Sequence, residues 1–251
     1  MSESEQEQEQ VEKKVAMAIV AHPDDAEFGC AGTVAKWANE GWDVYYVLCT
    51  DGGSGGPDEA TEITPEARQQ GITLREQEQR AAAEILGVKD VIFLGYPDGE
   101  LQPNLALRRD LVRLLRTYRP TRVICQSPDR NWEGQLRIPA YHPDHLAAGQ
   151  AALSAIYPAS QNPWDFVELF NDEGLRPHKV SEIYIMMAPV LNHGVNISST
   201  IEQKRNALLA HKSQLGEPSV EMQQFLQEWS TGIGKKYGFE HGEEFHLTEN
   251  R

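Results

Sequence analysis

Short runs of unbroken apolar residues recur along this chain, and between them apolar positions fall three and four residues apart. VAMAIV (15–20) has the length and continuous hydrophobicity of a strand buried on both faces. DVYYVLCT (43–50), DVIFLG (90–95), RVICQS (122–127) and VSEIYIMM (180–187) repeat the signal. The helical period appears over residues 29–40, where Ala31, Val34, Ala35 and Ala38 share a face. Thr64 as a cap and Pro65 in the first turn open a second helix that runs to about Gly87, with Gly71 as a point where it can bend. Leu105–Tyr118 forms an amphipathic helix stopped by Pro120, Asp144–Ile156 the next, and residues 200–230 two more.

Alternating β and α segments predict a doubly wound, Rossmann-like α/β fold, a mostly parallel sheet with helices on both faces. By analogy with such folds the strand order is 3-2-1-4-5. The chain then reverses between strands one and four, and ligands collect there, outside the carboxyl ends of the strands.

Residues 1–14 are an acidic Glu/Gln low-complexity tail, and 15–251 read as one domain, since no repeat or Pro/Gly/Ser-rich linker divides them. The net charge of −15 opposes binding to nucleic acid and to anionic membranes. No apolar run approaches the roughly 18 residues of a membrane span, so no membrane insertion is expected. The N-terminus lacks the basic and apolar regions of a signal peptide. Cys30, Cys49 and Cys125 are odd in number and form no CxxC, which points to neither disulfides nor a thiolate metal knot and makes a reducing cytoplasm the default.

The two loops beside the predicted reversal carry the chemistry. Ala21-His22-Pro23-Asp24-Asp25-Ala26-Glu27 follows strand one, and Tyr141-His142-Pro143-Asp144-His145 follows strand four. Two imidazoles and a carboxylate bind zinc in an open site that leaves a position for water, and neighbouring unligated groups move protons. Each motif alone also suits helix capping, because acidic residues favour helix N-termini. The pair, on the two sides of one crevice, points to a metal site. A dinucleotide site fits poorly: it needs G-x-G-x-x-G for close backbone approach, and His-Pro-Asp-Asp would repel a pyrophosphate. A metal-storing module without turnover would have no use for a spare carboxylate beside the ligands.

AHPDDAEFGCAG (21–32) and HPDH (142–145) resemble the two motifs of the LmbE-like/PIG-L family of zinc-dependent N-acetylglucosamine deacetylases. REQEQRAAAEILG (75–87), AHKSQ (210–214) and GFEHGEEFHL (238–247) resemble further segments of that family, so the likeness spans nearly everything after residue 14. The resemblance implies hydrolysis of an acetyl group from the amide nitrogen of an N-acetylglucosamine-type sugar or glycoconjugate, with one Zn2+ per chain. Larger thiol-sugar or antibiotic conjugates are the alternative substrates. It implies His22, Asp25 and His145 as metal ligands and Asp24 as general base. His142 would stabilise the oxyanion or protonate the leaving amine, Asp144 would orient an imidazole, and Arg75 would touch the substrate. Family members often form trimers or hexamers, so a homo-oligomer is compatible with it.

Other features have plainer readings. Gly52–Gly56 suits a mobile loop on the ligand side, and Asp98 in YPDGEL a turn residue, with binding of sugar hydroxyls as the alternative. Cys30 reads as a packing residue inside the first helix. Arg108, Arg109, Arg113, Arg116, Arg119 and Arg122 read as a solvated face. Trp132 and the Pro163–Phe166 segment suit sugar stacking and surface packing equally.

Overall fold

The computed structural model describes residues 14–57, 59–132, 141–216 and 219–251. Its sheet has seven strands: Val15–Val20 (β1), Asp43–Thr50 (β2), Asp90–Tyr96 (β3), Arg122–Gln126 (β4), Glu182–Met186 (β5), His193–Asn196 (β6) and Gly242–Glu249 (β7). The order is β3-β2-β1-β4-β5-β7-β6. The expected five-strand core is present and parallel throughout, and β7 and β6 extend it antiparallel from β5. Every residue of β1 is buried, because helices cover both faces of a central parallel strand. Ile19, Val47, Cys125, Leu111 and Ile156 lie in the core on one face; Val20, Leu48, Ile124, Val34 and Leu86 lie in the core on the other.

The strand β7 carries a buried acid, Glu243, which hides its period. The carboxylate accepts from Gly32 N (2.9 Å), Thr33 N (2.7 Å) and Thr33 Oγ1 (2.6 Å), and pairs with Lys204 Nζ at 2.6 Å. It thereby caps from a distance a helix whose own N-cap, Cys30, supplies no side-chain cap. That helix was expected as one over 29–40. It is two, Asp25–Gly29 (α1) and Ala31–Asn39 (α2), with buried Cys30 at the joint rather than inside a helix. Gly29 lets the Met186 side chain pack against the joint, since a Cβ would lie 2.3 Å from Met186 Sδ.

Pro65–Leu86 (α3) begins at Thr64, whose hydroxyl accepts from Ala67 N, and ends at Gly87 with φ 75°. It runs continuously through Gly71. Leu105–Tyr118 (α4) is capped by Asn104. Arg116 departs from the expected solvated face: it is buried and donates to the carbonyls of Ala159, Asn162 and Asp165. Arg122 instead lies over the Trp42 ring at 4.2 Å and pairs with Glu182. Pro143–Ser154 (α5) leads into a wider turn over Ala155–Ala159 and then Val167–Asn171 (α6). Among the described residues three helices rather than two follow: Ile201–Leu208 (α7), Lys212–Leu215 (α8) and Val220–Tyr237 (α9). Among the described residues no helix is long and apolar enough to cross a membrane. Residues 1–13 of the expected acidic tail lie outside the described residues.

Two predictions concern the frame. Gly149 lets α5 touch β4: a Cβ there would lie 2.3 Å from the Gln126 carbonyl oxygen. Gly149→Ala should cost about 1–3 kcal/mol of stability in urea unfolding despite alanine's better helix propensity. His178 is buried, and its Nε2–H donates to Pro120 O at 2.7 Å. Burial, helped by the Arg119 charge, holds its pKa below the ordinary value although the Pro120 bond pulls the other way. The unfolded chain therefore binds the proton more readily than the native one. This share of stability is full above about pH 6.5 and is lost as pH falls toward the folded value. Thermal melts from pH 7.5 to 5 should fall more steeply for the wild type than for His178→Gln.

Candidate metal centre

The site lies where the carboxyl ends of β1, β2 and β4 meet. Ala21, just past β1, donates its N–H to Gln126 Oε1 at 3.0 Å, and its carbonyl accepts from Thr50 N and Thr50 Oγ1. The chain then turns sharply. Asp24 has φ 86°, a left-handed conformation that is uncommon for a residue with a Cβ. Its N–H donates to Gln79 Oε1, whose amide in turn donates to Glu27 Oε1. The turn brings Asp25 Oδ2 to the His22 N–H at 2.7 Å. Across the crevice Pro143 starts α5, and the His142 ring accepts at Nδ1 from Asp144 N (3.2 Å). His145 follows one turn later.

His22, Asp25 and His145 meet closely. His22 Nδ1 is 3.2 Å from His145 Nε2 and 3.4 Å from Asp25 Oδ2, while His145 Nε2 is 2.9 Å from Asp25 Oδ1. Such separations suit donors that share one ion at about 2.0–2.2 Å each. The opposite edge of the His22 ring meets a second group: Nε2 lies 3.0 Å from Asp98 Oδ1 and 3.2 Å from Asp144 Oδ2. Those carboxylates are otherwise engaged by backbone. Gly99 N and Leu101 N donate to Asp144, and Ser54 N donates to Asp98. Acceptors on this edge hold a proton on Nε2 and leave Nδ1, which faces Asp25 and His145, as the atom that takes either a second proton or a cation. His142 also packs edge-on against His22, ring centroids 4.7 Å apart, so three imidazoles border the space.

The charges follow from this crowding. Burial works against protonation of His22, but hydrogen bonds to Asp25 and Asp98 and their negative charges carry its pKa to about 10. The point between these groups thus favours a positive charge. Asp25 is held well below the carboxylate range: burial alone would raise it, and His145 and His22 overcome that. Asp98 falls to about 2 against its own burial, through its bond to His22 and through the His22 charge. Asp24 rises to about 7, first from burial and then from the Asp25 charge, with Arg75 and His211 opposing. His142 is lowered by burial and by the neighbouring His22 and His145.

Arg75, expected at the substrate, is 6% exposed and braces the walls, donating to Gly52 O (2.8 Å) and Pro23 O (3.0 Å). Its guanidinium lies 3.5 Å from Asp24 and 3.8 Å from Asp98. It also borders a cavity of about 470 Å³ formed with Gly52–Gly56 and Arg68. The glycine loop, expected to be mobile, is tied at several points: Ser54 to Asp98, Gly53 N to Asp51, and Gly55 O to Gln214 Nε2. Gln214 belongs to AHKSQ. Ser213 of the same segment donates twice to Glu78, and His211 Nε2 lies 3.2 Å from Glu27 Oε2, both side chains fully buried.

Asp98 sits in the expected turn, closed by Glu100 N to Pro97 O at 3.2 Å, and its contact with His22 adds a role that the turn reading did not include. Its one signal was position, directly after β3 on the ligand side. Trp132 is exposed, and the segment after it, 133–140, lies outside the described residues.

A family model described as PIG-L, GlcNAc-PI de-N-acetylase, matches residues 17–156. Diacetylchitobiose deacetylase of Thermococcus kodakarensis is 32% identical over 232 residues, 92% of this chain and 81% of that protein. A probable N-acetyl-alpha-D-glucosaminyl L-malate deacetylase 2 of Bacillus anthracis is 28% identical over 222 residues, 86% of this chain and 87% of that protein. The solved structure of N,N'-diacetylchitobiose deacetylase from Pyrococcus horikoshii superposes with a TM-score of 0.81 at 31% identity, covering 94% of this chain and 84% of that one.

The bracing of His22 is open to a direct test. Asp98→Asn replaces the acceptor nearest Nε2 with a neutral group, and divalent-metal affinity in a chelator competition should fall about 10–100-fold.

Proposed function

The chain belongs to the PIG-L family and is a deacetylase of N-acetylglucosamine-type sugars or glycoconjugates, and we propose that it works with one zinc ion held by His22, Asp25 and His145. The observation that carries this reading is the approach of His22 Nδ1, His145 Nε2 and the Asp25 carboxylate to within 2.9–3.4 Å of one another. Two imidazole nitrogens and a carboxylate oxygen suit zinc, and three protein ligands leave room for substrate. Zinc bound there supplies the Lewis acidity that water and an amide carbonyl lack.

The remaining residues then divide the work. Asp24 sits beside Asp25 without sharing its contacts to the imidazoles, so its carboxylate takes a proton from the attacking water without consuming a ligand. The new C–O bond places negative charge on the former carbonyl oxygen. His142 spends Nδ1 on the Asp144 N–H, so Nε2 carries its proton and donates toward that charge. Donors of this kind are worth about 3–4 kcal/mol in acyl transfer. The C–N bond then breaks, its electron pair leaves with the nitrogen, and a proton from Asp24 or His142 completes the amine. Asp144 is a positioning residue: it bridges His22 Nε2 to the backbone of Gly99 and Leu101. Arg75 holds the Asp24 turn through Pro23 O and meets substrate from the side of the glycine-loop cavity.

The experiment pairs zinc content with acetate release on a panel of N-acetylglucosamine conjugates. Asp24→Asn should retain about one zinc per chain and lose about 10²–10⁴-fold in kcat. Zinc lost together with activity would make Asp24 part of metal retention, and undiminished turnover would remove it as the base.

A further inference from the structure

A second cavity, of about 390 Å³, opens beside the metal centre, with Asp25 and His145 in its wall. Its other lining is mainly apolar: Phe28, Leu146, Met186, Met187, Phe225 and Trp229. Phe225 and Trp229, one turn apart on α9, lie with ring centroids 5.8 Å apart and tilted by 32°. Three of the polar side chains that border it have partners elsewhere, and the exposed Asp129 also borders it. Gln126 accepts from Ala21 N, the Ser127 hydroxyl bonds the Asp129 backbone, and Tyr141 OH accepts from Asn131 N. Asp24, Arg75, Asp98 and His142 do not line it.

This division has a consequence for how an amide is held. An amino sugar carries hydroxyls that cost free energy if buried without partners. The apolar cavity offers them few, whereas Asp98 and His142 meet His22 and Asp24 meets Arg75, all outside the cavity lining. The acyl side of the amide carries only hydrocarbon. A methyl group fills a small fraction of about 390 Å³. On the reading that the chain is a metal-dependent N-deacetylase, we propose that this cavity takes the acyl chain, and that the protein hydrolyses amino sugars bearing acyl groups longer than acetyl, from butanoyl to octanoyl. The reaction is unchanged in kind. Water's oxygen bonds to the acyl carbon, the C–N bond breaks with its electron pair on nitrogen, and the products are a fatty carboxylate and a protonated amine.

The test compares kcat/KM on N-acetyl-, N-butanoyl-, N-hexanoyl- and N-octanoylglucosamine, with octyl N-acetylglucosaminide as a control. Values should climb by up to about fourfold per added methylene until the cavity is full. Trp229→Ala, and separately Phe225→Ala on the exposed side of α9, should lower the octanoyl-to-acetyl ratio by about three- to tenfold. Calorimetry adds a readout without turnover: octanoate should bind more tightly than acetate, and Trp229→Ala should narrow the gap. A ratio at or below one overturns the proposal, as does a high ratio that neither variant moves. A gain seen only with the octyl glycoside also overturns it, by giving the cavity to the aglycone. Failure on every substrate including the acetyl ones would instead strike the deacetylase reading itself.

Discussion

The His22 imidazole is pulled from two edges at once, and the architecture of the ligand side exists to sustain that pull. Asp25 and His145 face Nδ1; Asp98 and Asp144 face Nε2. Three carboxylates near one buried ring are costly, because each ion removed from water loses several kcal/mol of hydration unless other groups replace it. The replacements come from backbone. Asp144 takes two N–H groups from the segment after β3, Asp98 takes one from the glycine loop after β2, and Asp25 takes one from His22 itself. No single loop supplies this set. It requires the ends of β3, β2, β1 and β4 side by side, which the order 3-2-1-4 provides.

The support continues behind the site. The Asp24 turn is held in a left-handed conformation by Gln79 of α3 and by Arg75, which clamps Pro23 O. Strain of this sort persists only where neighbours over-determine it. Gln79 reaches Glu27, Glu27 faces His211, and Ser213 holds Glu78, so α3 is fixed from both ends of one short segment. Further back, Glu243 of the last strand caps α2 and neutralises Lys204, which also donates to Phe28 O at the end of α1. The C-terminal third of the chain supplies no expected ligand, yet it sets where α1, and with it Asp25, can sit.

This explains what could be read from the sequence. The five parallel strands were legible because burial on both faces leaves an uninterrupted apolar run, as in VAMAIV, and the two His-Pro-Asp motifs stood out by composition. The strands β6 and β7 were not, because His193–Asn196 has only four residues and GEEFHLTE carries a buried glutamate at an inward position. The joint at Cys30 was hidden for a related reason: the cap of α2 comes from a residue more than two hundred positions away. Local logic placed Asp98 correctly in its turn but missed its partner, and it misplaced Arg116. A carboxylate after proline suits a turn and an arginine on an amphipathic helix suits solvent, until a distant imidazole or a row of carbonyls becomes the partner. AHKSQ shows a limit of resemblance too. Likeness marked the segment, and only the contacts to Glu27, Glu78 and Gly55 give it a task.

The two sides of the His22–Asp25–His145 cluster differ in a way that bears on chemistry as well as specificity. Toward Asp24, Asp98 and His142 the surroundings are polar and crowded with charge, so protons can be taken up and delivered there. Toward Phe28, Met186 and Trp229 they are apolar, and a group placed there excludes water from one face of the reacting carbon. Removing water strengthens the remaining electrostatic interactions, which on the proposed mechanism would include a donor from His142 to the developing oxyanion. An acyl chain that fills the apolar side would therefore do more than bind. By closing that face it would lower the local dielectric at the moment charge develops, so part of its contact energy would appear in kcat and not only in KM. The aromatic pair on α9 would then stand as the outer wall of the reacting volume, although it lies far in sequence from both His-Pro-Asp motifs.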